Sequence, residues 1–110
     1  MYLMHSFGYI FCMKKKISKL SPGKRLEKIR LNIDKIDLKI LQLLSKRRKQ
    51  VLNVIKYKPK SKIVDQARIS KMIKERVKIG KKLKLEKFII TKIWLTMISS
   101  FIELEKKKYK

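Results

Sequence analysis

The sequence predicts an all-α chain of three helices, one long, one short and one of medium length, on three observations. Apolar residues recur at alternating three- and four-residue steps through Leu26, Ile29, Ile33, Ile36, Ile40 and Leu43, which keeps one helical face continuously apolar. A second, broader stripe runs through Phe88, Ile89, Ile93, Trp94, Met97, Ile98, Phe101 and Ile102. The helix-breaking residues Pro22, Gly23, Pro59 and Gly80 fall at the edges of these periodic stretches.

Taken in order, Met1 to Met13 is apolar and aromatic and is followed by Lys14, Lys15 and Lys16. A secretory signal places its charges first and closes on small residues, so this segment does not read as one, and it is too short to span a bilayer. Residues 1–23 are expected to be either a disordered extension or a mis-started one, with the true start at Met13. The long helix is expected from Lys24 to Tyr57, because Pro59 disfavours helical geometry at the residue before it. At about 1.5 Å rise per residue it would be roughly 50 Å long, more than the rest of the chain can cover. Its seam continues through Arg47 and Gln50 before Val54 restores the apolar pattern, so a cation sits inside the seam and needs an anionic partner. A second helix is expected from near Asp65, a capping residue, with Ile69, Met72, Ile73 and Val77 inward and Gly80 as its stop. The third is expected from Leu85 to Glu105, where Lys92 and the short apolar span argue against a membrane segment. Residues 24–105 then form one helical domain, and 106–110 a frayed basic tail.

Lys+Arg 32 against Asp+Glu 8 gives a formal charge of +24, which would attract small anions and raises the question of a polyanionic partner. The excess is mostly lysine, with arginine only at Arg25, Arg30, Arg47, Arg48, Arg68 and Arg76, so a drift toward Lys and Ile explains it equally well. Nucleic-acid binders place aromatics beside clustered cations, whereas the aromatics here lie on apolar faces. Nucleic acid is therefore not the expected partner. Single residues at Cys12 and His5 exclude an intrachain disulfide and a zinc cluster, and fit a reducing, cytoplasmic setting. There is no Gly-rich phosphate loop, no Ser/His/Asp or Cys/His arrangement and no metal-spaced ligand set. Asp34, Asp37 and Asp65 make no obvious catalytic pair. An enzyme built on this chain is expected to work mainly through cations, and not by covalent or metal chemistry.

Those cations have a geometry. Arg47, Val51, Val54 and Lys58 lie at four-, three- and four-residue steps on one ridge. Arg47 and Lys58 are thus on one face, roughly 16 Å apart along the axis, and two long side chains can close on a small dianion. Arg30 is aligned too but roughly 26 Å from Arg47, within reach only of a partner chain's ligand. Antiparallel pairing of two long helices would bring it there and cover the seam.

The chain resembles the all-α, type II chorismate mutases. Arg30, Ile36-Asp37 and Leu43-Leu44-Ser45-Lys46-Arg47-Arg48 match the arginine, I-D and L-L-x-x-R-R signature of that family's long helix; Lys58 follows, then Asp65 and Arg68 as its D-x-x-R. The likeness extends over 24–105 and ends at Glu105. It implies an intertwined helical homodimer that converts chorismate to prephenate by a Claisen rearrangement without cofactor or covalent intermediate. By the resemblance Arg47 holds one carboxylate and Arg30 of the other subunit a second. Lys58 contacts a carboxylate and the ether oxygen, and Asp65 and Arg68 complete the polar wall. A guanidinium suits such roles because its planar fork grips carboxylates and stays charged when buried. Lys58, Glu105 and Arg47 are the expected catalytic residues.

Three positions depart from the family pattern. Ile69 stands where Glu is usual, which removes a partner for the substrate hydroxyl, and Phe101 stands where Ser is common. Glu105 replaces a usual Gln, and only its protonated form can donate to the ether oxygen, so activity is expected to rise toward acidic pH. The loop from Lys58 to Asp65 is also short, with Lys56 and Lys60 as alternatives to Lys58. Two other functions fit the same residues: an isochorismate pyruvate-lyase on this scaffold, and a non-catalytic basic helical protein.

Overall fold

The computed structural model describes residues 20–109, and these are helical almost throughout. Helix α1 spans Pro22–Val54, a short 3₁₀ turn spans Lys60–Lys62, helix α2 spans Gln66–Lys82 and helix α3 spans Lys87–Lys108. The expected extension over residues 1–19 and the lone Cys12 and His5 lie outside the described residues.

Each boundary has a local cause. Helix α1 begins two residues before the expected Lys24, because Pro22 takes the first helical position, where its missing N–H costs nothing. Ser21 caps it: the Ser21 hydroxyl accepts from the Lys24 N–H at 3.4 Å and its carbonyl from the Arg25 N–H at 2.8 Å. The far end closes at Val54 instead of Tyr57, where the Val54 carbonyl receives both the Tyr57 and the Lys58 N–H at 3.0 and 2.9 Å. Pro59 then directs the chain into the 3₁₀ turn with φ −67° and ψ 151°.

Helix α2 begins as expected with Asp65 as N-cap, its carboxylate accepting from the Arg68 N–H at 3.0 Å. Gly80 does not stop it. The helix runs through to Lys82, and Gly80 is buried where α2 meets α3: a Cβ there would come within 2.0 Å of Ile90 Cδ1. The reversal falls four residues later, at Lys84, which takes φ 62°. The Leu85 N–H bonds the Gly80 carbonyl at 2.9 Å and the Lys84 N–H bonds that of Lys81 at 3.1 Å, the paired closure of a Schellman end. Glycine thus serves the close helix approach and a lysine bears the left-handed turn, the reverse of the expected assignment.

The chain falls into two compact units, one ending at Leu44 and one beginning at Ser45. The first is dominated by the front of α1. Its seam residues Leu26, Ile29, Ile33, Ile36, Ile40 and Leu43 are between 43 % and 61 % exposed, and Asn32 is buried. The second holds the last turns of α1, the connecting loop and the α2–α3 hairpin. Its core is Ile63, Met72, Ile90 and Ile98. Helix α3 extends three residues past the expected Glu105, and its last turn is Lys106, Lys107 and Lys108, cations that suit the negative end of a helix dipole. Among the described residues no helix is long and apolar enough to cross a membrane.

Candidate functional site

The second unit contains one cleft in which most of the singled-out residues meet. It encloses about 180 Å³. The end of α1 contributes Arg47, Val51 and Val54, and the loop contributes Lys58 and Ile63. The start of α2 adds Asp65, Arg68, Ile69 and Met72, while α3 closes the cleft with Ile98, Phe101, Ile102 and Glu105. Three cations and two carboxylates therefore sit on a wall that is otherwise apolar. In such a setting charges are screened less than at an open surface.

Arg47 is the best-defined of the cations. Its guanidinium lies over the Phe101 ring, 4.6 Å from the centroid, a stacking that suits its planar, weakly hydrated head. Nη1 is buried without a hydrogen-bond partner. A buried unpaired donor on a charged group is costly, and native proteins tolerate it mainly where function uses it. Burial pushes the Arg47 pKa down from its ordinary value; repulsion by Arg76 and Arg68 adds to this, and Glu105 opposes it. An arginine remains protonated under any physiological condition all the same, so the outcome is a desolvated, permanently charged donor.

Lys58 lies beyond the end of α1 and not on it, contrary to the expectation of one continuous ridge. It still shares the cleft with Arg47, because its N–H bonds the Val54 carbonyl and so adds one more turn in the same sense. Its ammonium donates to the Ile63 carbonyl at 2.9 Å and pairs with Glu105 at 3.6 Å. Glu105 is 6 % exposed. The contact with Lys58 is one that the carboxylate form makes.

Asp65 and Arg68 border the cleft from the first turn of α2, both exposed, and Asp65 is occupied as the N-cap. Ile69 and Phe101 form apolar wall where a carboxylate and a hydroxyl would otherwise be available. Lys56 and Lys60, the alternatives to Lys58, are exposed and do not line the cleft. Arg30 is exposed on the part of α1 that belongs to the first unit.

Two residues escaped the sequence reading. Arg76 acts electrostatically on Arg47; its spacing of four from Met72 and eight from Arg68 places it on the same side of α2, a signal that was present but not used. Tyr109, in the supposed frayed tail, is half-buried and donates its hydroxyl proton to the Lys58 carbonyl. No periodicity announces a bond between residues 51 positions apart.

A cationic cleft built by three helices is one arrangement among many, and comparison with known families decides between them. The family model for chorismate mutase type II matches residues 29–106. The chain belongs to that family. Searches among curated proteins and among solved structures return no match. The matched segment includes all of the cleft, and it also includes Arg30 on the first unit. Chorismate mutases of this type are all-α, in agreement with the three helices described above, and chorismate, their substrate, is a small dianion of the kind a desolvated arginine and a lysine can grip.

Proposed function

We propose that the chain is a chorismate mutase that rearranges chorismate to prephenate by holding it in a reactive conformation beside fixed cations. The observation that carries this reading is Arg47, half-buried, stacked on Phe101 and keeping a buried Nη1 donor unpaired in a cleft that also holds Lys58. Family membership supplies the substrate class.

The chemistry needs little else. The reaction is intramolecular: the ether C–O bond breaks while a C–C bond forms, and no proton or group leaves. The flexible enolpyruvyl arm must be folded over the ring, and gripping its carboxylate with Arg47 lowers the entropic part of the barrier. Negative charge gathers on the ether oxygen as its bond lengthens. Lys58, already held in place by Ile63 and Glu105, stabilises that charge more than it stabilises the substrate. Arg68 and Asp65 provide the polar rim. Glu105 faces the Lys58 ammonium from α3 and orients it toward the ether oxygen.

We further propose that two chains pair through the seam of α1, which brings Arg30 of one to the second carboxylate bound by the other. The exposed row of isoleucine and leucine supports this, since apolar surface of that extent is normally covered. Cytoplasmic residence fits the reaction.

The decisive measurement follows the loss of chorismate absorbance with purified protein, identifies the product, and repeats both with Arg47→Ala. Prephenate formation that disappears in the variant sustains the proposal. Salicylate and pyruvate from isochorismate would assign the lyase activity instead, and turnover of neither compound by a folded dimer would refute an enzymatic role.

A further inference from the structure

We propose that Tyr109 is a positioning residue that sets the place of Lys58 in the cleft. The proposal rests on the reading of Lys58 as the cation beside the ether oxygen, and it comes from how the backbone of Lys58 is held.

Lys58 has left the regular part of α1, and nothing within its own segment fixes it on both sides. Its N–H is anchored to Val54. The next residue, Pro59, restricts the conformation of Lys58. The N–H groups that follow are used within the 3₁₀ turn, Lys62 on the Pro59 carbonyl and Ile63 on that of Lys60, and the Lys58 carbonyl takes its proton from the Tyr109 hydroxyl across the fold. Tyr109 caps the C-terminal end of α3, one helical turn beyond Glu105. The same edge of α3 thus holds Lys58 twice: Glu105 faces its ammonium at 3.6 Å and Tyr109 binds its carbonyl. With the ammonium also on the Ile63 carbonyl, both ends of the residue are held, its backbone by Val54 and Tyr109 and its charge by Ile63 and Glu105.

The consequence is specific. Removing the phenolic oxygen leaves the ring packing intact but releases the Lys58 carbonyl, so the cation is displaced from the transition state more than from the bound substrate. Tyr109→Phe should lower kcat about three- to tenfold, the usual range for losing one neutral hydrogen bond, with KM unchanged within about twofold. In a Lys58→Ala background the same change should cost nothing further, since the group it positions is gone. An independent readout is the NMR signal of the Lys58 Cε–Hε pair, assigned by its loss in Lys58→Arg, which should shift in Tyr109→Phe while helical content measured by circular dichroism stays the same. An equal loss of activity in both backgrounds, or a Lys58 signal that does not move, would overturn the proposal. If the unmodified protein does not turn over chorismate, the activity reading fails by itself, and the NMR signal alone decides whether Tyr109 places Lys58.

Discussion

The front of α1 and the unit that follows it are made of the same residue types and treat them in opposite ways. From Leu26 to Leu43 the isoleucines and leucines are half exposed, whereas Ile63, Met72, Ile90 and Ile98 of the second unit are buried. The difference lies in topology and not in composition. The second unit folds back on itself, helix against helix through the reversal at Lys84, and so has something to pack against. Among the described residues the first unit is a single extended helix with no returning segment. Its apolar face is exposed among these residues, and the proposed pairing of two chains would use the hydrophobic effect there. The part of the molecule that is self-sufficient carries the cleft, and the part that is not carries Arg30.

The comparison is most severely tested at Arg47. Arg47→Ala should abolish measurable catalysis, a loss of about a thousandfold or more in kcat/KM, because it removes both the carboxylate grip and part of the cleft's field. Light scattering should still give the same molecular mass, since the change lies in the second unit. Next comes the seam. Ile36→Lys places a charge in the middle of the exposed row, and the proposed dimer, which would bury that position on both chains, should weaken by roughly a hundredfold or more. Sedimentation at graded concentrations measures this, and an unchanged monomeric mass for both proteins would remove the dimer and the role of Arg30 together.

Glu105 offers a smaller and more diagnostic effect. Glu105 pairs with Lys58 at 3.6 Å, and a carboxylate there has no proton to give the ether oxygen. Glu105→Gln supplies an amide donor in the same place, so its kcat/KM at neutral pH should rise several-fold; a fall would exclude donation from this position and leave the pairing with Lys58 as the role of Glu105. Phe101→Leu keeps an apolar wall but removes the ring beneath Arg47. A cation–π contact of this kind contributes about 0.5–2 kcal/mol, so substrate affinity should drop about threefold to thirtyfold, with Phe101→Tyr restoring it.

The smallest expected effect is on stability. Gly80→Ala puts a methyl group within 2.0 Å of Ile90 Cδ1. Overpacking costs about 1–3 kcal/mol, against about 1 kcal/mol gained in helix propensity, so the net change should be a modest fall in melting temperature. A rise would mean that Ile90 moves aside freely and that α2 and α3 are loosely joined.

The helical class, the number of helices and the cationic character of the cleft were legible because they depend on local pattern. A seam at three- and four-residue steps, an aspartate before an apolar run and a proline after one each have a single structural meaning wherever they occur. The same holds for the grouping of Arg47 with Lys58, which follows from spacing along nearly continuous turns. Gly80 shows the limit. A glycine near the end of a helix has two uses, as a left-handed cap and as a close-approach site, and only the position of Ile90 selects the second. Tyr109 was invisible for a different reason: its hydroxyl has no local partner, and its bond to Lys58 exists only because α3 returns alongside the loop.

The sequence by itself therefore determined the periodic elements, the cations that line the cleft and the family resemblance, since these reside in residue types and short-range spacing. The tertiary structure decided where the helices end and that Phe101 lies under Arg47. It also decided that Lys58 is held from both ends by α3 and its own loop. Those contacts depend on which distant segments come together, and the free energy that selects them belongs to the packed core and not to any one stretch of chain.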